Sequence, residues 1–205
     1  MILPVPQKVP FLFVGNQPCL DFINTDLVMN GQPTDLLESF HDLVAWLVQA
    51  GRLTEEAAKR IERAGVRQGN ETLQQAKEFR ATLRDMARRL AEGKPVPQTA
   101  LDAINHLLRH RLGFPQISRR NDAFERKFQS EPEDRNQVLG LLAEAASDLL
   151  VTCDLSLIKQ CQNPQCVLFF YDTTKNHARH WCSMGLCGNR SKIAAHYHRH
   201  RKKRT

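Results

Sequence analysis

Four of the six cysteines fall within 27 residues, as Cys161-x-x-x-x-Cys166, fifteen intervening residues, and Cys182-x-x-x-x-Cys187. Two short loops that each offer two sulfurs can converge on one ion, and zinc takes four thiolates as a tetrahedron. A spacer of about 15–20 residues between the pairs is a recognised zinc pattern, with inner gaps here at the upper end of the usual range. Asn163-Pro164 supplies turn geometry inside the first pair, and Met184-Gly185 loosens the second. The competing arrangements are two disulfides or cysteines lost in a core. The spacing predicts one structural zinc on Cys161, Cys166, Cys182 and Cys187. With four protein ligands such an ion keeps no open position for catalysis.

Charge sets the same segment apart. Residues 159–205 carry ten Lys/Arg and one acid, Asp172, whereas residues 1–158 carry nineteen Lys/Arg and twenty-one acids. The net charge of +7 therefore belongs to the C-terminus and points to a polyanion, most commonly nucleic acid; the alternative is a solvated basic tail. No run of about 18 apolar residues exists, which argues against a membrane-spanning helix. Pro4, Pro6 and Pro10 break the apolar patches of the first fourteen residues, and no basic residue precedes the first two of them, against the pattern of a secretory signal. The cytoplasm is the expected compartment, and clustered thiols there read as metal ligands before disulfides.

Upstream, the apolar spacing is mostly helical. An apolar run from Phe11, a turn at Gly15-Asn16-Gln17-Pro18 and the stretch Cys19 to Thr25 fit a short strand or extended segment entering a helix. Thr34 or Asp35 is expected to cap a helix with Leu36, Leu37, Phe40, Leu43, Val44, Leu47 and Val48 inward, ended by Gly51. Thr54 caps another to about Ala64, and residues 65–70 read as a break. Glu71 to Ala91 predicts a long amphipathic helix with Leu73, Ala76, Phe79, Leu83, Met86 and Leu90 as its apolar stripe. Further helices are expected over Gln98 to Arg111 and Arg135 to Cys153, with two short strands near Phe114–Ile117 and Ala123–Phe128 between them. The fold class is mostly α with minor β. Residues 1–155 form a helical domain, and residues 156–205 a small treble-clef-like zinc module with a basic C-terminal helix.

In the module, Leu157-Ile158-Lys159 reads as an entering strand and Val167 to Tyr171 as the return strand, with a helix beginning near Gly188-Asn189. So small a unit buries too little apolar surface to fold alone, so metal binding supplies part of its folding free energy. On the last helix Ile193, Ala194 and Tyr197 share one face, while Lys192, His196, Arg199 and Lys203 make a basic stripe on another. Together with Lys175, Arg179 and Arg190 they are the candidate nucleic-acid contacts, through phosphates and through base edges in the major groove.

The run Cys187-Gly188-Asn189-Arg190 gives this segment a family likeness. With Cys161-Gln-Asn163-Pro164-Gln-Cys166, Phe169-Phe170-Tyr171-Asp172, Thr174-Lys175-Asn176 and Trp181-Cys182-Ser-Met184, it resembles the CGNR zinc finger family over roughly residues 155–202. That resemblance implies zinc on the four cysteines and DNA binding in a bacterial protein. Cys19-Leu20-Asp21-Phe22-Ile23-Asn24-Thr25 and Leu43-Val44-Ala45-Trp46-Leu47 with Ala50-Gly51 resemble the domain usually found ahead of it, called ABATE and described as a stress-induced transcription regulator.

The expected function is thus a cytoplasmic transcription regulator that binds duplex DNA through the zinc module, with residues 1–155 sensing a small-molecule ligand or forming a homodimer. An RNA-binding or ribosome-associated zinc protein is the alternative, since a zinc knuckle with nearby aromatics also suits single-stranded bases. No catalytic motif appears, so no enzyme is expected. Asp21, Asn24 and Thr25, polar residues in an apolar frame, are the candidates for lining a ligand pocket; closing a turn or capping a helix is the other use of such residues.

Overall fold

Pro18 opens helix α1 (Pro18–Ile23), and every residue after it in the helix is buried; its missing N–H costs nothing in a first turn. The computed structural model describes residues 9–63, 66–111, 113–121, 123–129 and 136–190. After α1 comes an antiparallel hairpin, β1 (Asp26–Met29) and β2 (Gln32–Asp35). Asn30 and Gly31 turn it, with φ of 51° and 81°, the left-handed pair that two-residue hairpins need and that Asn-Gly supplies without strain.

This hairpin corrects the helix start expected at Thr34 or Asp35, both of which lie in β2. Helix α2 (Phe40–Gln49) begins later, where the Ser39 hydroxyl accepts from the Asp42 amide and the Asp42 carboxylate accepts from the Ser39 amide. That reciprocal cap outcompetes a lone threonine or aspartate. Helix α3 (Glu55–Glu62) is capped by Thr54 as expected. Helix α4 (Val66–Ala91) starts ahead of Glu71, so most of the stretch read as a break is helical; packing overrides the weak propensity of its glycine and polar residues. Helix α5 (Gln98–Leu108), the antiparallel pair β3 (Phe114–Arg120) and β4 (Ala123–Gln129), and helix α6 (Asn136–Thr152) follow. A second short pair, β5 (Ile158–Gln160) and β6 (Phe169–Tyr171), is antiparallel as well. About half of the chain is helical and the sheets are small, as the sequence predicts.

The stripe expected on α4 is buried in full, and it meets Val138, Leu142, Ala145 and Leu149 of α6 and Leu20, Phe22 and Ile23 of α1 in one core. Trp46 is fully enclosed there, with the Phe22 ring 5.4 Å and the Phe13 ring 6.4 Å away. Ile158 and Phe169 belong to that core too, although they lie beyond the boundary expected at residues 155 and 156. A second apolar cluster joins Leu27 and Leu36 to Leu168, Phe170, Cys161, Cys182 and Cys187.

Polar pegs fix the C-terminal strands to α1. Asn24 donates through Nδ2 to the Phe169 carbonyl at 2.8 Å and accepts through Oδ1 from the Phe169 amide at 2.9 Å. The Gly15 carbonyl accepts from the Tyr171 amide at 2.8 Å, and Asn16 donates to the Tyr171 carbonyl at 3.0 Å. Thr25 donates to the Phe22 carbonyl and accepts from Arg80, which also grips both oxygens of Asp35. Arg84 donates to the carbonyls of Ile23, Asp26 and Val167. Burial alone would raise the Asp35 carboxyl, but Arg80 and Lys77 hold it down at about 2.

Asp21, Asn24 and Thr25 thus serve to tie the fold together. All three are buried and spent on internal partners, Asp21 accepting from the Gly15 amide at 2.7 Å. Burial pushes the Asp21 carboxyl up to about 6 despite that bond.

Asn24→Ala leaves a buried amide and a buried carbonyl of Phe169 without partners, which costs about 2–4 kcal/mol; urea unfolding of the full chain measures it. A loss below about 1 kcal/mol would show that water replaces the side chain. Asp21 binds its proton more tightly folded than unfolded, so its contribution is largest below its unfolded value and falls as pH rises to about 6. Asp21→Asn should consequently gain on the parent protein between about pH 4 and pH 6 and hold a constant lead above that. Parallel stability curves would show that another group titrates there.

Candidate metal centre

Cys161 directly follows β5, and its amide donates to the Leu168 carbonyl at 2.9 Å, closing the first knuckle. Inside the loop the Asn163 side chain accepts from the Gln165 amide and its carbonyl from the Cys166 amide. That self-bonded Asn-Pro turn brings Cys166 back beneath Cys161. The second pair is shaped by Ser183, whose hydroxyl accepts from the Leu186 amide at 3.0 Å and whose carbonyl accepts from Cys187 and Gly188. The turn Met184–Gly188 is a single wide helical turn, so Cys187 sits inside it rather than at the start of a regular helix. A side chain at Gly188 would collide with Met184, whose sulfur would lie 2.7 Å from the added carbon. Asn189 and Arg190 continue in helical conformation.

These loops bring the four sulfurs within 4.8 Å of one another. Cys166 and Cys182 are 3.9 Å apart, and no cysteine is bridged in a disulfide. A tetrahedral zinc with bonds of about 2.3 Å spaces its sulfurs by about 3.8 Å, whereas a disulfide needs about 2.05 Å. Three of the four residues are buried and Cys166 is half-buried. Hydrogen bonds from Cys166 and Cys182 push the Cys161 thiol far down, and donating those protons pushes Cys166 and Cys182 up. The Cys182 amide also points at the Cys161 sulfur, at 3.4 Å. Thiols crowded in this way share protons that a divalent cation displaces, and an all-sulfur donor set suits zinc. The cluster is compatible with one zinc ion, for which Cys161, Cys166, Cys182 and Cys187 would be the ligands.

Asp172 holds the long spacer in place. It is fully buried and accepts from Lys159 Nζ at 2.7 Å, the Thr174 hydroxyl at 2.6 Å, and the amides of Thr174 and Arg179. Burial opposes its ionisation, but these donors keep the carboxyl well below the usual carboxylate range. Its one signal in the sequence was being the sole acid in a basic segment. Ser183 carried none beyond its type.

The predicted nucleic-acid contacts divide into three groups. Lys175 and Arg190 are exposed. Arg179 is half-buried and engaged inside the fold: its guanidinium lies 4.2 Å over the Phe170 ring and donates to the carbonyls of Val14, Trp181 and Cys182. It fastens the second knuckle to residues ahead of α1. Lys192, His196, Arg199 and Lys203 lie outside the described residues.

The family ABATE, described as "Putative stress-induced transcription regulator", matches residues 16–152. The CGNR zinc finger matches residues 158–200. No curated protein matches the chain.

Titration of the metal-free chain with zinc should saturate at one equivalent, release protons, and bind more weakly as pH falls, because each thiolate must be freed of its proton. Cys161→Ser should weaken binding by an order of magnitude or more and lower the thermal midpoint. Full affinity in that variant would mean that the ion sits elsewhere.

Proposed function

The chain belongs to the ABATE family and ends in a CGNR zinc finger, and from that membership we propose that it regulates transcription by binding duplex DNA through its C-terminal segment. The observation that carries the proposal is the junction of two features. A converged four-sulfur cluster stands immediately ahead of a segment, residues 188–205, with seven Lys/Arg and no acid. Zinc on Cys161, Cys166, Cys182 and Cys187 fixes the knuckles, and the basic chain leaves from Arg190. Phosphate contacts come from Lys175, Arg190, Lys192, Arg199 and Lys203, with His196 among them when protonated. Arg179 acts one step back by holding the second knuckle. Neutralised phosphates release counterions, which supplies most of the affinity.

Residues 1–155 take the sensing or pairing role. The exposure of Phe114, Ile117 and Phe124 on the β3–β4 hairpin supports pairing, since a two-stranded hairpin alone in water is marginal. Two copies would then read two half-sites, the usual remedy for one short helix with a small interface. A zinc with four protein ligands has no position for a substrate, which supports a role without catalysis.

The test is binding of the zinc-loaded full chain to duplex DNA across a salt series. Log affinity should fall linearly with log salt, and a Lys192→Gln, Arg199→Gln variant should lose about two units of slope. Chelation should abolish binding. Structured RNA outcompeting duplex DNA would move the protein to the RNA-binding or ribosome-associated alternative, and salt-independent binding would overturn the electrostatic reading altogether.

A further inference from the structure

A cavity of about 270 Å³ lies between the two knuckles, the β1–β2 hairpin and the extended chain ahead of α1. Sixteen described residues line it, nine of them Val, Leu, Met or Pro, and three are the cysteines Cys166, Cys182 and Cys187. The rest are Asn30, Asn163, Gln165 and Arg190. No acidic residue is among them. We infer that this cavity is a binding site for a neutral, largely apolar small molecule of two or three rings or equivalent bulk, resting on the back of the metal cluster. The inference deepens the regulatory reading, on which its significance rests, by naming a ligand class and moving the site away from α1.

Size and polarity select the ligand. An apolar cavity of about 150 Å³ accommodates benzene, so this one has room for a larger hydrophobic molecule, near the lower bound of drug-sized pockets. A cation would find no carboxylate in the lining. An anion would lie against the sulfurs of Cys166, Cys182 and Cys187, which four thiolates on one divalent ion leave net negative, and Arg190, the one cation in the lining, is exposed to water. The three carboxamides offer hydrogen bonds to one polar end of an otherwise apolar molecule.

The position gives such a ligand leverage. Leu12, Leu27 and Val28 belong to the N-terminal part, Val167 and Leu186 to the two knuckles, and Arg190 to the first residues of the basic segment. A molecule bridging these walls binds best when knuckles, hairpin and basic chain hold one arrangement. Any difference in its affinity between arrangements becomes, by linkage, a difference in affinity for nucleic acid.

The experiment uses the zinc-loaded full chain and a matched pair of fluorescent probes. N-phenyl-1-naphthylamine is neutral, and 8-anilinonaphthalene-1-sulfonate is the same skeleton with one anionic group. The neutral probe should saturate at one per chain and bind about tenfold or more tightly than the sulfonate. Val28→Phe, which fills the cavity, should weaken it by about tenfold or more. Val9→Phe fills the same space from the N-terminal chain if Val28→Phe fails to take up one zinc. Absence of saturable binding overturns the site, as does affinity unchanged in a filled variant that holds its zinc. A sulfonate that binds the tighter of the two overturns the assignment of a neutral ligand. DNA titrated in parallel separates the two readings: probe binding in a protein that ignores DNA keeps the site and removes the regulatory function.

Discussion

A strand of three residues holds no shape by itself, and the metal centre hangs from one. Strand β6 pairs with β5 along one edge, while Gly15, Asn16 and Asn24 supply the remaining partners for the backbone of Phe169 and Tyr171. Asn24 matters most among these, because one planar carboxamide satisfies both the donor and the acceptor of a buried residue. It stands at the end of α1, which is itself immobilised by burial on every residue after Pro18. The position of the cysteines is therefore inherited from the helical core through a few directed hydrogen bonds.

This explains how a small sulfur-rich unit acquires definition that its own apolar surface cannot give. Its aromatic residues do not form a private miniature core. Phe169 enters the main core, whereas Phe170 lies in the cluster that unites the knuckles with Leu27 and Leu36. Metal binding and helical packing then stabilise one another. An ion that fixes the knuckles also fixes β6, and with it the partners of Asn24. Loss of the ion should be felt beyond the C-terminal segment.

The features legible in the sequence were those written in local periodicity or local spacing. The buried stripe of α4 and the apolar face of α6 follow from a repeat of 3.6 residues, and the convergence of the four cysteines follows from two paired gaps. The β1–β2 hairpin was missed because Leu36 and Leu37 extend the helical apolar pattern backwards to the end of β2, although Asn30-Gly31 is a strong turn signal. The role of Asp21, Asn24 and Thr25 was illegible for a different reason. Their partners lie between 3 and 145 residues away in sequence, and no local pattern separates a polar residue that meets a ligand from one that meets a distant backbone. The internal contacts of Arg179 were illegible in the same way: its charge counted towards the basic segment, while its guanidinium serves Val14 and the second knuckle.

Two kinds of positive charge thus coexist in the C-terminal segment, and only one is available to a partner. Lys159 and Arg179 are consumed inside, on Asp172, on backbone carbonyls and on an aromatic face. Their charges are balanced by the buried carboxylate and by carbonyl dipoles near the sulfurs, so they add stability rather than reach. Lys175 and Arg190 stay in water. A count of Lys and Arg overstates the charge open to solvent for that reason. The exposed fraction is set by what the knuckles need for themselves, because the fold itself holds the inner cations.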